Sequence, residues 1–130
     1  MPKSTTVARW LIAVPLVGFG LNHLLGAADV LPLVPSFLPG GIFWVYLTGV
    51  AFMAAGVSFA TERYVRLAGR LLALMFLIFV LTVYLPRLVA SPSFAAARGM
   101  SVALLQAVLV GGTGLLLAGL YADDRPRDGR

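Results

Sequence analysis

Four long apolar runs, separated by short breaks rich in proline or arginine, dominate what this chain can fold into. They cover about residues 6–26, 42–60, 64–85 and 98–121. A helix rises 1.5 Å per residue, so each run is long enough to cross a hydrocarbon core, which takes about 20 apolar residues. The predicted fold class is therefore all-α, an integral membrane bundle of four transmembrane helices. The bundle fills residues 1–121, and a polar, disordered tail occupies 122–130. Only 12% of the residues are charged, against about 25% in soluble domains. With 60% hydrophobic residues and a mean hydropathy of +0.95, the solvent this chain is written for is the lipid bilayer.

The net charge of +5 would suggest nucleic acid on a soluble domain. Here the cations sit at the ends of apolar runs. Lys3 and Arg9, then Arg63, Arg66 and Arg70, then Arg125, Arg127 and Arg130 gather at one end of the bundle. The first loop has no Lys or Arg, and the third has Arg87 and Arg98. The positive-inside bias predicts both termini and the middle turn in the cytoplasm of a multi-pass cell-membrane protein, with no nucleic acid partner. A cleaved signal peptide is the rival reading of the first run, with Gly26-Ala27-Ala28 as its cut site. The run is long for a signal sequence, and cleavage would leave an odd number of spans.

The chain has no cysteine and one histidine, His23. That excludes disulfide and thiolate chemistry and leaves no set of metal ligands. No nucleophile elbow, phosphate loop or dinucleotide fingerprint is present, and no catalytic residue stands out. Polar groups inside apolar runs are the remaining candidates, because a membrane helix carries them at a cost. Asn22 and His23 close the first run. Tyr84 lies near the same end of the third. Thr48 and Gln106 fall about 10 Å below that surface at 1.5 Å per residue. Facing inward, these five would line a ligand-binding cleft roofed by the proline-rich stretch Pro32–Pro39. The plainer alternatives are that His23 caps loop carbonyls, that Thr48 bonds its own helix and that Gln106 joins two helices. Asp29 and Arg87 form a candidate ion pair holding the first loop over the bundle, or else remain separately solvated. Trp10, Trp44, Tyr64, Tyr84 and Tyr121 read as interfacial aromatics.

Local signals refine the helices. Thr48, Ala51, Ala55 and Ser58 share one face, which predicts close approach to a neighbouring helix. Ala103, Ala107, Gly111, Gly114 and Ala118 form a second small-residue stripe, packing either within the chain or between chains. Glu62 and Arg66 are four apart and placed to attract. The third run stops at Pro86. Ser91-Pro92 resembles an N-cap with proline at the first helical position. From there Phe94–Arg98 leads into the fourth run with a bend at Gly99.

The order of these signals resembles the DoxX-like family of small four-helix membrane proteins. The residues that carry it are Gly18-Phe-Gly-Leu-Asn-His23, Val34-Pro-Ser-Phe-Leu-Pro39 and Phe43-Trp-Val-Tyr-Leu-Thr-Gly-Val50. Gly56, Arg66-Leu-Ala-Gly and Tyr84-Leu-Pro-Arg-Leu complete it, over roughly residues 7–120. The resemblance implies a bundle in the bacterial cytoplasmic membrane and links the family to thiosulfate:quinone oxidoreduction. One position departs. Family members often carry a glutamate in the second helix after the Gly-Val dipeptide, where this chain has Phe52. The expected function is an accessory membrane component, without catalysis of its own, that binds an apolar ligand (lipid or quinone) or a partner membrane protein. Homo-oligomers are compatible with it. The alternative is a quinone-linked oxidoreductase subunit, with His23 and Tyr84 at a quinone cofactor and a soluble partner supplying electrons.

Overall fold

The structure is a computed structural model that describes residues 2–122. Four helices are long and apolar enough to cross a membrane: Lys3–Leu25, Ile42–Thr61, Val65–Val89 and Phe94–Leu120. In chain order the elements are α1 (Lys3–Leu25), α2 (Ala27–Val30), a 3-10 turn (Leu31–Leu33), α3 (Ile42–Thr61), α4 (Val65–Phe79), α5 (Leu85–Val89) and α6 (Phe94–Leu120). A π-helical turn, Val80–Tyr84, joins α4 to α5 and keeps the third span continuous. No strand occurs among the described residues. Of the tail expected at 122–130, all but Ala122 lies outside the described residues.

The helices pair as two hairpins. Between lipid-facing helices burial gains little, so close backbone packing must hold the pairs. In the first hairpin a Cβ on Gly20 would stand 2.7 Å from the Gly49 carbonyl, and one on Gly56 would stand 2.9 Å from the Ala13 carbonyl. Only glycine allows α1 and α3 to meet so closely. In the second, a Cβ on Gly114 would lie 2.7 Å from the Gly69 carbonyl. Ala107, Gly111, Gly114 and Ala118 are all buried on that side of α6. The small stripe of α6 therefore packs within the chain.

The stripe of α3 behaves differently. Close approach to α1 uses the adjoining face, Val45, Gly49, Phe52 and Gly56. Thr48, Ala51, Ala55 and Ser58 instead line two open grooves between α3 and α4. The two hairpins are held to each other by large side chains at the centre. Phe59 is fully buried, and Phe52, Leu72 and Phe76 join it in one cluster with Ala13, Leu16, Ala107 and Leu117. Phe19, Phe52, Phe76 and Phe79 form a row of rings whose successive centroids are 6.1, 5.6 and 5.8 Å apart.

Four local expectations are corrected. The third span does not stop at Pro86 but runs on to Val89. Proline lacks the N–H that an α-helix would bond to the residue four back, and its ring crowds that carbonyl. The π turn immediately before Pro86 changes the local bonding pattern and lets the helix pass. The N-cap of α6 is Ser93, whose Oγ accepts from the Ala96 N–H at 3.2 Å. Ser91 belongs to the preceding turn, its hydroxyl donating to the Arg87 carbonyl at 2.8 Å, and α6 runs unbroken through Gly99. Glu62 turns to Arg9 rather than Arg66. Glu62 and Tyr64 both have φ of 59°, so the turn takes Glu62 out of register with α4. The Arg9 guanidinium, 6% exposed, meets the Glu62 carboxylate at 2.5 Å and lies 3.4 Å from the Ala60 carbonyl.

Candidate functional site

The first loop is what closes one end of the bundle. Gly26 ends α1, donating its N–H to the Asn22 carbonyl at 2.8 Å. Prolines then prevent a long helix, and Gly40 and Gly41, with φ of +102° and +45°, reverse the chain into α3. Two side chains tie the loop down. Trp44 Nε1 donates to the Pro39 carbonyl at 2.7 Å, and Arg87 Nη2 donates to the Pro32 carbonyl. The tether expected from Asp29 and Arg87 is thus made by Arg87 with loop backbone. The only ion pair among the described residues is Arg9–Glu62.

Beneath the loop lies a cleft of about 520 Å³. Val30, Val34 and Leu38 roof it, and His23 reaches it from α1. Thr48 and Ala51 form its α3 wall, Met75 and Phe79 its α4 wall, and the π turn contributes Thr82, Val83 and Tyr84. A π turn fits about one extra residue into its circuit, which shifts the facing of the residues in and after it. The wall between α3 and α4 is incomplete. Leu47, Leu74 and Ile78 line the cleft yet are 46%, 53% and 49% exposed, so the cleft opens sideways, toward what would be lipid.

Of the five residues expected to share a site, the structure brings His23, Thr48 and Tyr84 together and leaves two outside. Asn22 is exposed beside His23, because consecutive helical residues point about 100° apart. Gln106 is also exposed and does not line the cleft. Its neighbour Ala107 takes the inward position against α4.

The polar atoms differ in how they are engaged. His23 Nδ1 lies 2.8 Å from the Phe19 carbonyl. A carbonyl only accepts, so Nδ1 carries the hydrogen, and in the neutral ring Nε2 is left as an acceptor. The Thr82 hydroxyl donates to the Ile78 carbonyl at 2.7 Å. The hydroxyls of Thr48 and Tyr84 make no hydrogen bond among the described residues, and both residues line the cleft. No charged side chain among the described residues lines it. No cluster of three His, Cys, Asp or Glu occurs among those residues that would hold a metal.

A second groove of about 260 Å³ continues down the α3/α4 seam. It shares Ala51, Leu71 and Met75 with the cleft and runs on past Ala55 to Ser58 and Tyr64. The sequence held the signal for this groove in the α3 small-residue face, but not its use. It also held a signal for the burial of Arg9, which falls in helical register with the buried Ala13, Leu16 and Gly20.

No protein-family model, curated protein or solved structure matches this chain.

Proposed function

We propose that this chain is a multi-pass membrane protein of DoxX-like type that binds a neutral apolar molecule, a lipid or a quinone, as an accessory component without chemistry of its own. The observation that carries this reading is the sideways-opening cleft of about 520 Å³, a size typical of small-molecule sites. Its lining is apolar apart from His23, Thr48, Thr82 and Tyr84; with the Thr82 hydroxyl already bonded, a neutral His23 leaves Nε2 as an acceptor and Thr48 and Tyr84 add two hydroxyls. That pattern suits an uncharged oxygen-bearing head, because nothing in it neutralises charge. The groove below suits a single tail. From Thr48 to Ser58 is about 15 Å along α3, half of a hydrocarbon core of about 30 Å. The partly open seam gives such a molecule a path from the bilayer. The basic residues at the turn end support the orientation with both termini cytoplasmic.

The test is mass spectrometry of the protein released from mild detergent. Wild type is expected to carry a neutral, single-tailed molecule. Ala51→Phe, which plugs the junction of the two grooves, is expected to lose it while remaining folded. A wild-type protein that carries nothing, or an Ala51→Phe variant that carries the same molecule, rejects the reading. A second reading, a quinone-linked oxidoreductase subunit, has in its favour that His23 and Tyr84 line one cleft. Against it stands Phe52, an apolar ring where a proton carrier would be needed. Loss of membrane quinone reduction in His23→Ala would favour that reading.

A further inference from the structure

Gln106 lies near the middle of α6, the longest span, twelve residues after Phe94 and fourteen before Leu120. Its side chain is exposed and makes no hydrogen bond among the described residues. In a bilayer that position faces hydrocarbon, where an amide with no partner is costly and no water is at hand to pair with it. The neighbours on its face are not random. Gly99, Val102, Gln106, Leu109, Thr113, Leu116 and Leu120 recur at alternating steps of three and four, and all but the half-buried Thr113 are exposed. That spacing is the heptad seam of a left-handed helix pair, with one polar residue at its centre. The inward stripe Ala107, Gly111, Gly114 and Ala118 is already occupied by α4, so the seam is a separate surface.

We propose that this α6 seam is the interface of a parallel homodimer, with Gln106 hydrogen-bonded to Gln106 of a second copy. The second copy fits for a chemical reason. Copies inserted with the same orientation are related by a two-fold axis along the membrane normal, which brings each seam residue to its own counterpart. An amide carries both donor and acceptor, so it can pair with itself across such an axis. Gly99 allows close approach near one end of the seam. A single central amide fixes the register, because sliding the helices would leave both amides unpaired.

The absence of cysteine in the chain makes the test clean. Single-cysteine variants along α6 are oxidised in native membranes. Leu109→Cys and Leu116→Cys are expected to form disulfide dimers, whereas Val108→Cys and Leu115→Cys, exposed on the other side of the helix, are not. Separately, dimerisation of otherwise unmodified protein is measured by energy transfer in bilayers. Gln106→Leu is expected to weaken the dimer about three- to tenfold, the range of interhelical polar contacts in membranes, and Gln106→Asn to restore part of it. Cross-linking with no helical periodicity, or a dimer indifferent to Gln106→Leu, overturns the proposal. So does a protein that remains monomeric in bilayers at high protein-to-lipid ratio.

Discussion

The His23 imidazole stands edge-on to the Phe52 ring, with centroids 5.1 Å apart and planes at 66°. The ring is thus held from two sides, by this contact and by the Nδ1 hydrogen bond to Phe19. Its orientation is fixed before any ligand arrives. Phe52 also occupies the position where the resemblance leads one to look for a carboxylate. The group beside His23 is a phenyl ring, so no acid stands there, and in the neutral ring Nε2 is an acceptor.

His23→Leu keeps the bulk and removes the acceptor. Binding of a fluorescent monoacylglycerol, a neutral single-tailed probe, is expected to weaken about fivefold, corresponding to one hydrogen bond of about 1 kcal/mol. The melting temperature in detergent should change little. Unchanged affinity would remove His23 from the site.

Phe52 and Phe19 are neighbours in the ring row but not equals. Phe52 is 4% exposed and Phe19 52%. Phe52→Ala opens a cavity where both hairpins meet and is expected to cost about 3–5 kcal/mol of stability. Phe19→Ala removes a side chain that lipid can replace and should cost less than about 1 kcal/mol by the same cavity argument. Unfolding in mixed detergent measures both.

Gly112 and Gly114 are two residues apart and are expected to respond oppositely. A Cβ at Gly114 meets the Gly69 carbonyl, while at Gly112 there is open space. Gly114→Val should separate α4 from α6 and lower the melting temperature sharply. Gly112→Ala should be neutral or stabilise by up to about 1 kcal/mol through helix propensity.

Arg9 and Glu62 hold the open end of the first hairpin, beside the turn from α3 to α4. Glu62→Gln leaves the buried guanidinium without its counter-charge. The carboxylate is 51% exposed, so the loss should fall between surface and buried pairs, at about 1–2 kcal/mol. Arg9→Met combined with Glu62→Gln should be more stable than Glu62→Gln alone. A double-mutant cycle on thermal unfolding checks this.

Orientation is testable on the same cysteine-free background. Ser36→Cys in the first loop should react with an impermeant maleimide on intact cells. Arg63→Cys in the middle turn should react only after permeabilisation. The reverse pattern would invert the topology.

The sequence by itself determined that the chain forms four long apolar helices. Twenty apolar residues in a row have few alternatives in lipid, and backbone hydrogen bonding within a helix needs no partner. It also named His23, Thr48 and Tyr84, because a polar atom in an apolar run is conspicuous wherever it ends up pointing. Where it points was decided only in three dimensions. The same rule that singled out Thr48 singled out Gln106, yet one faces the cleft and the other faces outward. That depends on which side of each helix a neighbour takes. Small residues were equally ambiguous: on α6 they admit a helix, and on α3 they leave a groove. Composition cannot distinguish these outcomes, because a face without bulk permits either contact or space. The choice fell to the glycine carbonyl contacts and the central phenylalanines, which pair distant segments of the chain.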